Sequence, residues 1–206
     1  MALVMGSDLF LLSPASCRGR RAQVLLKPGA PFDLAGRLRE GSVSLGEAFS
    51  FLSALYFRGK LAYAKAFGSP ASTFVITPTR GLLSPDAIVS VELLREFAAV
   101  DVHLDEPRYR NPLERDLAAL AERGSLHDRV ILLGSVATGK YAEILASTFG
   151  SRLHYPASFI GRGDMSRGGL LLRSARSGTE LDYAVLDMAV KRRGPRPPKL
   201  PRPSKP

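Results

Sequence analysis

A glycine-rich turn is the first segment whose residue types could do chemistry. Gly134-Ser-Val-Ala-Thr-Gly139-Lys140 fits the first seven positions of the GxxxxGK[ST] phosphate-binding loop. In that loop, backbone N–H groups cradle phosphates and the lysine meets their charge. The turn follows an apolar run and precedes helical periodicity, as the motif requires. The eighth position is Tyr141, so the hydroxyl that would hold magnesium is missing. The chain from there to residue 190 is too short for the usual strands carrying a second acidic ligand, and Asp187 is the one candidate. What remains is anion binding: Gly134, Ser135, Thr138, Gly139 and Lys140 would hold a phosphate at a helix N-terminus. A tight turn capped by Ser135 or Thr138 accounts for the same residues without a ligand.

A second constellation runs from His154 through Tyr-Pro-Ala-Ser-Phe-Ile-Gly-Arg-Gly-Asp-Met to Ser166. Together with Val130-Ile-Leu-Leu-Gly-Ser135 it resembles the C-terminal half of the uracil-DNA glycosylase superfamily. There, a strand ends in a Gly-Ser or Gly-Ala turn, and a later strand runs into a His-Pro-Ser loop. The chain also resembles the glycosylase-like domain of archaeosine synthases and bacterial peroxide-stress proteins that bind DNA. The latter likeness lies in Leu11-Leu-Ser-Pro-Ala15 and Thr77-Pro-Thr-Arg-Gly-Leu-Leu-Ser-Pro-Asp86. Within this set it is most similar to a bacterial group.

The resemblance implies roles for these residues. His154 would hydrogen-bond a base as negative charge develops on it. Pro156 and Ser158 would press on the phosphate backbone, with Arg162 and Ser166 beside them. Phe159 or Ile160 would be the apolar wedge that helps extrude a nucleotide. Two departures stand out. Tyr155 separates the histidine from the proline. The first strand-end loop, where the family keeps a water-orienting acid, offers Ser13, Ser16, Arg18 and Arg20 instead. Asp86 and Asp164 are the carboxylates that could substitute. A partly buried histidine capping a strand is the purely structural reading of His154.

The elements that must position these residues alternate in type. Apolar or β-branched runs at 8–12, 73–77, 129–133, 152–155 and 181–186 read as strands. Helical spacing marks 45–67 (Phe49, Leu52, Leu55, Leu61 and Ala64; one helix, or two broken near Gly59), 91–100, 112–123, 138–149 and 166–176. Asn111-Pro112 reads as a cap with a first-turn proline. This alternation predicts a mainly parallel, three-layer α/β/α sheet. In such sheets, ligands bind where loops leave the carboxyl ends of strands. Those loops are 13–20, 78–86, 134–140 and 156–169, and all contain Ser, Thr, Gly or Arg.

The totals bound the partners. The net charge is +10 over 206 residues, but residues 191–206 hold seven basic side chains and no acidic one, leaving +3 on residues 1–190. We therefore divide the chain into a glycosylase-like α/β domain, 1–190, and a basic, proline-rich tail, 191–206, expected to be disordered. The tail could engage a proline-recognising domain or a phosphate backbone, or serve only solubility. The one cysteine, Cys17, excludes an internal disulfide framework and fits a reducing compartment. The apolar start lacks a positive n-region, and no run approaches the ~18 apolar residues of a membrane span. A cytoplasmic protein with no membrane partner is expected. His103 and His127 have no metal-like spacing, so neither metal nor cofactor is expected.

These readings converge on a nucleic-acid- or nucleobase-binding protein of uracil-DNA-glycosylase-like fold. If catalytic, it would be an N-glycosidase or a base-exchange hydrolase or transferase. The alternatives are a non-catalytic DNA- or RNA-binding protein of that fold, and a nucleotide-binding protein using the 134–140 turn.

Overall fold

The computed structural model describes residues 8–122, 128–136, 140–188 and 197–198. The expectations for Thr138, Gly139, His127 and almost all of the 191–206 tail fall outside them. The chain is mixed α/β, built on a six-stranded, mostly parallel sheet ordered β4-β3-β1-β6-β7-β8. Its parallel centre is β3 (Thr73–Ile76), β1 (Leu9–Leu12), β6 (Val130–Leu133) and β7 (Leu153–Pro156). Each edge is closed by an antiparallel strand, β4 (Leu82–Leu83) beside β3 and β8 (Tyr183–Val185) beside β7. A separate ribbon pairs β2 (Val43–Ser44) with β5 (Ile88–Val89).

β1 and β6 are buried at every position, as central strands covered on both faces must be. Alternate residues serve opposite faces. Phe10, Leu12, Ile131 and Leu133 join one apolar cluster with Phe49, Phe57 and Tyr63. Those partners lie on α3 (Leu45–Ser53) and α4 (Leu55–Phe67). Leu9, Leu11, Val130 and Leu132 join a second cluster with Leu113, Leu117 and Leu145. These belong to α6 (Pro107–Glu122) and α7 (Ala142–Phe149).

Three local expectations need correction. The break in the 45–67 helix falls at Ala54, whose φ of 47° interrupts the helical run, and not at Gly59. Gly59 instead lies inside α4, where a Cβ would stand 2.6 Å from the Gly168 carbonyl oxygen. Its missing side chain allows α4 and α8 (Asp164–Ser177) to cross backbone to backbone. The second concerns α6, which opens at Pro107 and carries Pro112 inside it; the first-turn proline is therefore five residues earlier than the Asn111-Pro112 reading. The helix expected from Thr138 begins, among the described residues, at Ala142. Three short elements, α1 (Arg20–Leu25), α2 (Asp33–Arg39) and the β2–β5 ribbon, carried too little periodicity to be read; α5 (Val91–Ala99) was.

Candidate functional site

Every parallel strand ends in a loop with polar residues, and the three that follow β1, β3 and β6 meet. A cleft of about 530 Å³ opens at the carboxyl ends of β1, β3 and β6. The β1–α1 loop supplies Ser13, Ser16, Cys17 and Arg18. Pro78 follows β3, Ser135 and Lys140 follow β6, and Asp164 opens α8. Tyr56 of α4 and Phe97 of α5 add aromatic surface.

The floor is a buried polar knot centred on Ser13, which is 5% exposed. Its N–H donates to the Leu133 carbonyl, 3.1 Å, carrying the β1–β6 ladder one step past the strand. On one side stands Lys60 of α4, 1% exposed. Its Nζ donates to the Ser13 carbonyl oxygen at 2.5 Å and lies 2.9 Å from Ser13 Oγ. The same nitrogen sits 4.5 Å from the Tyr56 ring centre and 4.8 Å from that of Phe57. Burial holds its pKa down at about 7, against a weak opposing pull from Asp164. On the other side, the Tyr141 hydroxyl accepts from the Ser135 N–H at 2.9 Å and hydrogen-bonds Ser13. Gly134 makes this possible, because a Cβ there would stand 2.9 Å from both Ser13 Cβ and the Tyr141 hydroxyl.

Tyr56 is 6% exposed, and its hydroxyl makes no hydrogen bond within 3.5 Å among the described residues, with the Arg167 guanidinium a longer-range partner. Burial raises its pKa, with Arg167, Tyr141 and Asp164 as its charged or titratable neighbours. A buried hydroxyl without a close partner is costly, and this one lies in the cleft wall. At the rim, Lys140 is exposed. Arg18 is tied to the opposite wall, donating from Nε to the Ala98 carbonyl at 2.6 Å and pairing with Asp101.

The sequence-read residues thus divide. Ser13, Ser16, Arg18, Ser135 and Lys140 come together in the cleft, with Gly134 behind them. His154, Pro156, Ser158, Phe159, Arg162 and Ser166 do not line it. His154 pairs in register with Ile131 on β6, four residues before Ser135, which is roughly 13 Å of strand. Its Nδ1 lies 2.9 Å from the Arg152 carbonyl oxygen. Phe159 is fully buried and lies under the Arg167 guanidinium, 5.5 Å away, rather than on the surface as a wedge. Arg162 is turned back onto its own loop, donating to the Ser158 carbonyl and to Ser166 Oγ. Asp86 is exposed and lies outside the cleft lining, whereas Asp164 is in it.

Lys60, Tyr56 and Tyr141 were not anticipated. A signal existed: Tyr56, Phe57, Lys60, Tyr63 and Ala64 form a single buried stripe at helical spacing. No protein-family model, curated protein or solved structure matches the chain.

Proposed function

We propose that the cleft binds a nucleobase or nucleotide, free or within a nucleic acid. The observation that carries this reading is the meeting of Lys140 and Arg18, the latter paired with Asp101, at the rim of a cleft walled by Tyr56 and Phe97. Cations at the mouth suit phosphate, and aromatic and apolar walls suit a planar base. The volume of about 530 Å³ lies in the range of small-molecule sites. Under this reading the fold is the three-layer α/β/α arrangement of the uracil-DNA-glycosylase-like proteins, with its ligand at the carboxyl edge of the sheet. His154 is then a structural residue of β7, and the base is contacted from the β1 and β6 loops.

Fluorescence anisotropy with a short single-stranded oligonucleotide, and calorimetry with mononucleotides, test it. Arg18→Ala and Lys140→Ala should each weaken binding by about 3- to 10-fold, and each lost phosphate contact should lower the salt slope by about one. Deleting 191–206 should leave mononucleotide affinity unchanged. If all binding disappears with those residues, or neither substitution alters it, the cleft is not the nucleotide site.

A further inference from the structure

We propose that Ser13 is a nucleophile and Lys60 its general base, so that the cleft floor forms a serine ester with a small acyl substrate bearing an anionic group. Ser13 Oγ and Lys60 Nζ are 2.9 Å apart, within the reach required of a nucleophile and its base. Serine–lysine pairs are one of the recurring arrangements that activate a hydroxyl. Ser13 ends the central strand and faces the cleft, while Lys60 lies just beneath it.

Structural duty alone accounts poorly for this lysine. Its hydrogen bonds go to the two Ser13 oxygens, and no salt bridge joins it to a carboxylate among the described residues. Asp164, whose charge it feels, is largely exposed and pairs with Arg167 at 3.4 Å. A buried ammonium without a counter-charge is expensive. A neutral amine costs far less and has a lone pair to offer the hydroxyl. Methionine or leucine would fill the same apolar stripe without a buried charge, losing only the donor to the Ser13 carbonyl.

The steps balance. Neutral Lys60 Nζ takes the Ser13 hydroxyl proton as Oγ bonds to the substrate carbonyl carbon, and the carbonyl π pair moves onto oxygen. The Tyr56 hydroxyl, with no hydrogen bond within 3.5 Å among the described residues, supplies a donor for that oxyanion. Collapse breaks the bond to the leaving oxygen or nitrogen, which takes the proton from the Lys60 ammonium. Water then attacks the ester with Lys60 again as base, releasing a carboxylic acid and restoring Ser13. Arg18 and Lys140 at the rim select substrates with an anionic portion.

The charged group acting on the amine is Asp164 on α8; Tyr56 on its own helix lies against it, and Tyr141 and Arg167 neighbour Tyr56. Both tyrosines are raised by burial and stay protonated near neutral pH. The neutral-range titration therefore belongs to Lys60.

The test is labelling of the full chain with a fluorophosphonate and with p-nitrophenyl acetate, the adduct being located by peptide mass spectrometry. Ser13 should be modified, at a rate that climbs as pH passes upward through about 7. Ser13→Ala should abolish the adduct, and Lys60→Met should slow its formation on the order of 10²-fold. A folded wild-type chain left unlabelled at Ser13, or labelled at Cys17 or Lys60 instead, overturns the assignment. So does a Ser13 rate indifferent to pH between 6 and 9, which needs no variant to fold. Ser13 and Lys60 lie below the rim cations, so failure of acylation and failure of nucleotide binding are read separately.

Discussion

Tyr56 holds a hydroxyl in the cleft wall with no hydrogen bond within 3.5 Å among the described residues, only a longer approach from Arg167; a buried hydroxyl left unsatisfied costs about 1–3 kcal/mol. A ligand that accepts from it would recover that cost on binding. Tyr56→Phe separates the two states: the free protein should be as stable as wild type or up to ~1 kcal/mol more so, while ligand affinity or Ser13 labelling falls. Paired denaturant unfolding and binding curves check this, and a loss of stability with unchanged binding would show the hydroxyl to be structural. At this scale the sequence was half legible. Ser13, Ser16, Arg18, Ser135 and Lys140 were readable because residues after parallel strands necessarily gather at one edge. Lys60 was not, because a lysine in a helix ordinarily reads as a solvated one. Only its phase relative to Tyr56, Phe57, Tyr63 and Ala64 sets it on the buried face. His154 went the other way: the 152–155 reading rightly set it on a strand, and it lies within β7, but the contact role implied by its motif finds no place in the cleft lining.

Helices α4 and α8 meet through glycine on both sides. A Cβ on Gly168 would stand 2.6 Å from the Leu55 carbonyl oxygen and 2.8 Å from Tyr56 Cα, with rigid backbone unable to yield. Gly168→Ala should therefore destabilise by about 1–3 kcal/mol through overpacking. Because α4 carries both Tyr56 and Lys60, pushing it away should also loosen the cleft floor. Thermal unfolding combined with the Ser13 labelling rate measures both effects, and an unchanged melting temperature would mean that the crossing is slacker than its geometry. Strands β1 and β6 were legible at this scale since four consecutive apolar residues between turn signals leave few alternatives. The helix break at Ala54 was not, because nothing in Ser53-Ala54-Leu55 marks a positive φ; the obvious glycine nearby served helix contact instead.

For the molecule as a whole, the buried titratable groups set opposing slopes of stability with pH. Lys60 in the folded chain has a pKa of about 7, against an ordinary 10.5. Between those values the unfolded chain holds a proton that the folded chain does not. Stability must then rise with pH across that interval, by up to about 1.4 kcal/mol per pH unit. Cys17 acts in reverse, since burial pushes its thiol from 9.0 up to about 12. The unfolded thiol ionises first, and stability is lost as pH climbs above about 9. Tyr56, Tyr63, Tyr109, Tyr141 and Tyr183 are all raised, chiefly by burial, and steepen the loss above pH ~10. Urea midpoints should consequently climb from pH 7, reach a maximum near pH 9 and fall beyond it. Lys60→Met should flatten the climb and keep the fall, because only the lysine has its folded pKa below its unfolded one among these groups. A wild-type curve that is level or descending between pH 7 and 9 would mean that Lys60 keeps its charge in the folded chain. The amine would then have no lone pair for Ser13, and the cleft would retain its rim cations and aromatic wall without a base.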